Sequence, residues 1–326
     1  MEKKLLSGTD IYVSAIALGT DVYGLDLSEE ESFLMIDAYL DMGGNVIDTA
    51  KIYSDWVPGE KSRSEKLIGR YLKSRGNRGK IVISTKGAHP EVGHMDSPRL
   101  SEADIRSDME ASLKHLGVDH VDIYWLHRDH KTADVAEIAE TLDKLIKEGK
   151  TRYIGLSNWT GARIDEFNRY AAAHSLSKVI AGQIQYSAAT AIKENNDPTL
   201  VLMDETEYAF YKENKMPVFA FAAQAKGFFQ KMESGGEASL SEKARERYLT
   251  DENRARFLRV KEVAASHGVS SGEAALASLI CNPDFEVIPI VGCKNIAQLE
   301  DTVKAADLKL STGEIEDIKR DCQSRM

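Results

Sequence analysis

Cysteine, proline and long apolar runs are all scarce in this sequence. Its 326 residues include 3 cysteines and 7 prolines. Cys281, Cys293 and Cys322 form no C-x-x-C pair, so we expect reduced thiols and a cytoplasmic location rather than a disulfide framework. No stretch approaches the ~18 apolar residues needed to cross a bilayer, and the segment after Met1 has too short an apolar core for a signal peptide. We therefore expect no membrane partner.

Positive charge is also in deficit, with 42 Lys and Arg against 52 Asp and Glu and a formal net charge of -10. An acidic surface repels nucleic acid, so we expect no nucleic-acid partner. The hydrophobic content of 42% and charged content of 29% are typical of a globular protein with material for a sizeable core. The length fits a barrel, and we expect one domain spanning residues 1–326.

Short apolar runs alternate with amphipathic helical segments along almost the whole chain. Before this alternation, two short runs flank the turn-rich residues 7–10, which predicts an N-terminal β-hairpin over residues 3–14. We expect eight further strands, at residues 16–18, 46–47, 81–85, 121–126, 153–156, 179–185, 218–221 and 285–290. Eight strands, each followed by a helix, predict an α/β protein with a (β/α)8 TIM barrel.

A doubly wound parallel sheet is the alternative fold, but it is usually marked by a G-x-G-x-x-G fingerprint, which this sequence lacks. Residues 197–206 and 234–253 depart most from the alternation. Neither contains enough apolar residues for a core of its own, so we interpret both as insertions on loops.

Polar and ionisable residues stand at or just beyond the ends of the predicted strands. Because a barrel brings the carboxyl ends of its strands into one ring, these residues are expected to converge. They are Thr20, Asp48 with Tyr53, Lys86, His127, Ser157 with Asn158, and Gln183 with Gln185, while Phe221 and Gly292 stand at the ends of the last two strands.

Four of these residues, Asp48, Tyr53, Lys86 and His127, suit proton transfer to an oxygen. A phenol titrates near ~10, and a neighbouring ammonium is expected to lower that pKa while a carboxylate holds the ammonium in place. A histidine can polarise a carbonyl by hydrogen bonding. The set has no nucleophile and no metal-binding pattern, so it favours carbonyl and alcohol interconversion with hydride from a cofactor. Taken singly, each has an ordinary structural interpretation: a turn cap, a half-buried aromatic, a solvated lysine or a core histidine.

These residues and the motifs around them resemble those of the aldo-keto reductases, and the resemblance covers residues 16–310. The matching motifs are Asn45-Val-Ile-Asp-Thr-Ala with Tyr53, Ser84-Thr-Lys-Gly, Asp122-Ile-Tyr-Trp-Leu-His, Gly155-Leu-Ser-Asn, Gln183-Ile-Gln-Tyr, and Val291-Gly-Cys-Lys-Asn with Gln298. The resemblance implies a catalytic tetrad of Asp48, Tyr53, Lys86 and His127, with Tyr53 as general acid/base. It also implies that Ser157, Asn158 and Gln183 hold the nicotinamide carboxamide and that Phe221 lies against the ring.

The sequence departs from the family pattern at several cofactor positions. Most relatives have tyrosine in place of Phe221, although a phenyl face still stacks. The usual Ser-Pro-Leu-Gly is Ala-Ala-Gln-Ala at residues 222–225, and the common Glu-Asn pair is Asp301-Thr302. Lys294 stands where the family often places a cation against the adenosine 2′-phosphate, which favours NADP(H) over NAD(H). The full expected cofactor set is Thr20, Asp48, Ser157, Asn158, Gln183, Phe221, Ala222, Gln224, Lys226, Gly292, Lys294, Gln298 and Asp301, and no metal is expected.

The sequence thus predicts an NADP(H)-dependent oxidoreductase that acts on a small carbonyl compound, namely an aldehyde, ketone or sugar. A cofactor-binding regulatory module resembling the potassium-channel β-subunits, which sense redox state, is the alternative. The polar loop 56–63, together with Arg128 and Asp129, suggests a hydroxylated substrate, unless these residues only form ion pairs at the rim. Trp56, Trp125 and Tyr23 either line the substrate mouth or pack in the barrel. The sequence carries no signal of oligomeric state.

Overall fold

Eight parallel strands close into a barrel, and an antiparallel hairpin precedes them. The structure is a computed structural model that describes residues 1–320; Cys322 lies outside the described residues. The hairpin pairs β1 (Lys3–Leu5) with β2 (Tyr12–Ser14). The barrel strands are β3 (Ala17–Gly19), β4 (Val46–Asp48), β5 (Val82–Gly87), β6 (Val121–Leu126), β7 (Thr151–Ser157), β8 (Gly182–Gln185), β9 (Val218–Phe221) and β10 (Val287–Val291). Each pairs with the next in chain order, and β10 closes on β3. The predicted (β/α)8 barrel with its hairpin is confirmed.

Helices fill the connections between the strands. They are α1 (Glu29–Asp41), α2 (Arg63–Arg75), α3 (Glu102–Leu116), α4 (Val135–Lys147), α5 (Gly161–Ala173), α6 (Glu205–Asn214), α7 (Phe228–Gly235), α8 (Glu242–Tyr248), α9 (Asp251–His267), α10 (Ser271–Ile280), α11 (Ile296–Lys304) and α12 (Thr312–Lys319). Side-chain caps mark the starts: Ser28 forms a capping box with Glu31, and Ser101 accepts a hydrogen bond from the Asp104 N–H. Within residues 1–320, no helix is both long and apolar enough to cross a membrane.

The second predicted insertion is more ordered than its polar composition suggested. Residues 234–253 contain a 3-10 turn, all of α8 and the start of α9. Ser241 and Thr250 accept hydrogen bonds from backbone N–H groups at the starts of these two helices. Tyr248 is fully buried, so a few capping and packing residues are enough to hold a polar segment in helical form.

The barrel interior is filled by large side chains rather than left as a pore. Along β6 the side chains alternate, so Ile123 and Trp125 point into the barrel while Tyr124 and Leu126 pack under the helices. The Trp125 ring lies edge-on to Phe219 from β9, with centroids 5.2 Å apart. Trp125 is fully buried, so it packs in the core and does not line the substrate mouth.

Gly155 on β7 makes room for that indole. A Cβ placed on Gly155 would overlap the six-membered ring of Trp125, and its backbone is not in the left-handed region. Space, rather than backbone freedom, is therefore what this glycine provides.

We expect Gly155→Ala to destabilise the protein by about 1–3 kcal/mol, because overpacking forces the indole or the strand to move. Urea unfolding monitored by circular dichroism measures the change. Gly313→Ala is the matched control, because nothing lies within 4 Å of a Cβ at that position in α12. Equal stability of G155A and the wild type would show that the interior adapts without strain.

Candidate active site

The side chain of Lys86, at the end of β5, connects three groups at the carboxyl end of the barrel. Its Nζ donates to Asp48 Oδ2 at 2.5 Å, to the Thr49 carbonyl at 2.8 Å and to the Tyr53 hydroxyl at 2.9 Å. Lys86 and Asp48 are each only 1% exposed. All three ammonium protons are therefore used, and the lysine joins a carboxylate to a phenol away from bulk water.

The second carboxylate oxygen of Asp48 is held from the barrel interior. Asp48 Oδ1 accepts from Ser84 Oγ at 2.9 Å and from Gln183 Nε2 at 3.1 Å. Ser84 Oγ in turn accepts from Trp125 Nε1 at 2.7 Å. The core indole thus orients the serine that orients the carboxylate. Ser84 belongs to the Ser84-Thr-Lys-Gly motif, but the sequence of β5 does not predict its hydrogen bonds to Asp48 and Trp125.

His127 lies on the other side of the phenol. Its ring centroid is 5.9 Å from that of Tyr53 and 4.7 Å from that of His89, both in edge-on geometry. His127 is 8% exposed, and among residues 1–320 its Nδ1 has no hydrogen-bond partner. The structure therefore brings together all four residues of the predicted tetrad.

Burial sets the protonation states of this group. Desolvation raises the pKa of Tyr53 well above 10, and the charges of Asp48 and Asp21 add to the effect. Desolvation also lowers the pKa of Lys86, against the opposing pull of Asp48. The sequence led us to expect a lowered pKa for Tyr53, but in the structure the net shift of its pKa is upward, because burial is the largest contribution. At neutral pH the phenol carries its proton.

The same desolvation keeps His127 neutral. Its pKa lies well below 6.5 because of burial, and the charges of Arg128, His89 and Lys86 act in the same direction. A neutral imidazole has one N–H donor and one acceptor nitrogen, so it can orient a carbonyl without adding charge.

Three polar side chains next to the tetrad retain hydrogen-bonding capacity suited to a carboxamide. Gln183 donates to Asp48, but among the described residues its Oε1 accepts no hydrogen bond. Ser157 Oγ accepts from Asn158 Nδ2 at 3.1 Å, which leaves its O–H proton free to donate. A carboxamide needs one acceptor and one donor, and Gln183 with Ser157 supply both.

Asn158 is more fully engaged than its neighbours. Both protons of its Nδ2 are used, on the His127 carbonyl at 3.2 Å and on Ser157 Oγ, and its Oδ1 accepts from the Val201 N–H at 3.3 Å. Its φ of 57° places it in the left-handed region that asparagine tolerates. Asn158 therefore orients Ser157 and the β6 end, and one lone pair of its Oδ1 is left for a ligand.

The end of β9 and the loop after it contain the other predicted cofactor residues of this face. Phe221 is half-buried, whereas Ala222 and Lys226 are exposed and both have left-handed φ values, of 53° and 56°. Gln224 Nε2 donates to Thr302 Oγ1 at 3.2 Å, which ties this loop to α11. Such a turn exposes backbone N–H groups, as an anionic phosphate requires.

Residues around the start of α11 form the most exposed part of the predicted cofactor-binding set. Gly292, Lys294, Gln298 and Asp301 are all exposed. Gln298 Oε1 accepts from the Lys294 N–H at 2.9 Å, while Asp301 pairs with Lys304 at 2.8 Å. Within residues 1–320 the Lys294 ammonium has no ion-pair partner, so its charge remains free for an anion.

Thr20 differs from the rest of the predicted set. It is fully buried, and its hydroxyl donates to the Asp48 carbonyl at 2.9 Å and lies 2.8 Å from Ser64 Oγ. The side chain thus joins β3 and β4 to α2, and the backbone N–H of Thr20 also donates to the Asp48 carbonyl at 3.1 Å.

The structure separates residues that the sequence left ambiguous. Tyr23 is 1% exposed and packs in the core. Trp56 is 49% exposed and lies edge-on to Tyr53, with centroids 6.4 Å apart. Asp129 pairs with Arg163 at 3.1 Å. For Asp129, the interpretation as part of an ion pair at the rim is therefore the one that the structure supports.

His89 was missed in the sequence because it stands three residues beyond the predicted strand-end Lys86. Only the course of the loop after β5 places its ring against His127. In the part of the chain that the structure describes, no group of three or more His, Cys, Asp or Glu side chains could hold a metal ion.

Comparison with known proteins agrees with this geometry. A model of the aldo/keto reductase family matches residues 15–321. The chain is 29% identical over 319 residues to an uncharacterized oxidoreductase, YrpG, of Bacillus subtilis, covering 95% of this chain and 92% of that protein. It is 28% identical to the aldo-keto reductase yakc [NADP(+)] of Schizosaccharomyces pombe, covering 91% of this chain and 84% of that protein. It is 27% identical to norsolorinic acid reductase stcV of Emericella nidulans, covering 95% of this chain and 78% of that protein.

The chain belongs to the aldo-keto reductase family, because the family model covers nearly its whole length. It is therefore an NAD(P)H-dependent oxidoreductase that interconverts carbonyl compounds and alcohols. The resemblance inferred from the strand-end residues is confirmed.

The neutral state of His127 predicts a dependence of stability on pH. Its folded pKa lies below its unfolded value of about 6.5, so the unfolded state binds the extra proton and stability falls as the pH drops below about 6.5. Between about pH 7.5 and about pH 5, the wild type should therefore lose unfolding free energy through this histidine. His127→Gln should make that loss smaller by up to about 2 kcal/mol.

Urea unfolding at these two pH values measures the difference. His94→Gln, which changes an exposed histidine, is the control and should leave the pH dependence as in the wild type. An equal loss of stability in H127Q and the wild type would show that His127 titrates normally in the folded state.

Proposed function

We propose that this enzyme transfers a hydride between NADP(H) and the carbonyl of an aldehyde, ketone or sugar, with Tyr53 as the general acid/base. The observation that carries the proposal is the position of the Lys86 ammonium, which lies 2.5 Å from Asp48 and 2.9 Å from the Tyr53 hydroxyl in a buried setting. A chain of this kind supplies a proton to an oxygen and receives one back.

In the direction of reduction, Tyr53 donates its O–H proton to the carbonyl oxygen as that oxygen gains negative charge. The raised pKa of Tyr53 keeps the proton available at neutral pH. The phenolate that remains is stabilised by the ammonium of Lys86, which Asp48 and the Thr49 carbonyl hold in place. His127, held neutral by burial, is the candidate donor that orients the substrate oxygen.

The cofactor, when bound, supplies the hydride equivalent to the carbonyl carbon. Ser157 and Gln183 are proposed to bind its carboxamide, since they provide the free donor and the free acceptor beside the tetrad. Phe221 is proposed to pack against the nicotinamide ring, and the loop 222–226 to face the pyrophosphate. Asp301 and Gln298 are proposed to lie near the adenosine.

We infer a preference for NADP(H) from Lys294. Its exposed ammonium has no ion-pair partner among residues 1–320, so it can meet the 2′-phosphate that distinguishes NADPH from NADH. The relative yakc bears NADP(+) in its name, which supports the same preference. The described cysteines, Cys281 and Cys293, are unpaired, in line with the cytoplasmic location that we propose.

Tyr53→Phe is expected to lower kcat for reduction by about 100-fold or more, because the proton donor is lost while the ring remains. NADPH affinity should stay within about twofold of the wild type, since the phenol serves the substrate side. NADPH oxidation at 340 nm measures turnover for a panel of aldehydes, ketoses and hydroxylated ketones, and nucleotide fluorescence measures binding.

Tyr12→Phe is the matched control, because it deletes the hydroxyl of a tyrosine that is 58% exposed on the hairpin. Wild-type turnover by Y53F would rule out Tyr53 as the donor. If the wild type binds NADPH tightly but reduces no member of the panel, the redox-sensing alternative gains support instead.

Lys294→Ala should weaken NADPH binding about tenfold and leave NADH binding within about twofold, because only NADPH carries the 2′-phosphate. Titration calorimetry with both nucleotides makes the comparison. Lys4→Ala, on the exposed hairpin strand β1, controls for the loss of one surface charge. An equal effect on both nucleotides would place Lys294 away from the 2′-phosphate.

A further inference from the structure

Arg128 is a largely buried cation next to the reaction centre. It follows His127 directly, and its side chain is 12% exposed. Its Nε donates to Thr199 Oγ1 at 3.0 Å, and its Nη1 donates to the His127 carbonyl at 2.8 Å. These two bonds fix the guanidinium against the β6 end.

Much of the hydrogen-bonding capacity of this guanidinium is unused. An arginine side chain has five N–H donors, and among the described residues only the two bonds above are formed. The nearest carboxylate oxygen is Asp197 Oδ2, which lies 3.9 Å from Nη2 and so beyond hydrogen-bond distance. Nη2 therefore makes no hydrogen bond within residues 1–320.

Both neighbouring carboxylates also bind other groups. Asp197 Oδ1 accepts from the Thr199 N–H at 2.8 Å and from Thr199 Oγ1 at 2.7 Å. Asp129 pairs with Arg163 at 3.1 Å. Arg128 is thus held by the loop 197–199 through a hydroxyl, and its ion pair with Asp197 is long, at 3.9 Å.

The charge of Arg128 acts on the reaction centre. Burial dominates the pKa values of Tyr53 and His127, and the Arg128 cation lowers both as a lesser effect. Trp56, half exposed, lies against Tyr53. The phenol therefore lies against an aromatic surface and within the field of a guanidinium whose only ion pair is long.

We propose that Arg128 binds a carboxylate on the substrate, so that this enzyme acts on carbonyl compounds that carry an acid group. A guanidinium fork matches a carboxylate in shape and charge, and its partial desolvation strengthens the contact. This inference rests on the proposed carbonyl reduction and adds the chemical class of the substrate.

Two matched pairs of aldehydes test the proposal. Para-carboxybenzaldehyde is compared with para-carbamoylbenzaldehyde, and succinic semialdehyde with its amide. The members of each pair share a shape and differ in charge, and the two pairs place the acid at different distances from the carbonyl. We expect the wild type to prefer the acid in kcat/KM by about tenfold or more in at least one pair, as for a hydrogen bond to a charged group.

Arg128→Gln should lose at least about tenfold more kcat/KM on that acid than on its amide, chiefly through KM. Arg128→Lys should restore part of the preference, because it keeps the charge without the fork. Asp197→Asn should increase the preference, because it removes the nearest competing carboxylate. A purely structural role for Arg128 predicts equal losses on acid and amide in R128Q, and this result would overturn the proposal, as would a wild type that does not distinguish the two.

A binding measurement separates failure of this inference from failure of the proposed function. Titration calorimetry of para-hydroxymethylbenzoate and its amide into the enzyme with NADP+ needs no turnover. Selective binding of the acid by the wild type, lost in R128Q, supports the site even if no aldehyde is reduced. Reduction of the amides without any acid selectivity in either assay leaves the reductase in place and eliminates the carboxylate site.

Discussion

The buried ion pair between Lys86 and Asp48 is the interaction on which the rest of the site depends. Taking two charges out of water is costly unless nearly every proton and lone pair finds a partner. Lys86 uses all three protons, and Asp48 accepts from Lys86, Ser84 and Gln183. Loss of one partner would leave an uncompensated buried charge, which typically costs about 3–5 kcal/mol. Each charge of the ion pair is therefore held by three hydrogen bonds.

The barrel core supports that network from below. Trp125 fills the interior beside Phe219 and uses its only polar atom to fix Ser84, which fixes Asp48. Gly155 leaves the space that the indole occupies. Packing and electrostatics are thus coupled, because the same side chain fills the core and orients the carboxylate.

Protonation at the centre is governed by burial more than by the neighbouring charges. Desolvation favours the neutral forms of Tyr53 and His127, so the phenol keeps its proton and the imidazole stays uncharged. A protonated phenol beside a neutral imidazole is suited to giving a proton to a carbonyl oxygen. The loops beyond the strands add Arg128 and the segment 197–199 that holds it.

The sequence by itself determined the strand alternation, the hairpin, and the identity of the four residues at the strand ends. These are local features: a short apolar run followed by a helical pattern, a turn, and a polar residue where the run stops. It did not determine that the indole of Trp125 points into the barrel or that the ring of His89 packs on His127. It also did not reveal that the Thr20 hydroxyl hydrogen-bonds to the Asp48 carbonyl and Ser64. Nor did it reveal that burial raises the pKa of Tyr53, which we had expected to be lowered. Those properties depend on which side chains meet across strands far apart in the chain and on how much water they exclude, and only the closed barrel decides both.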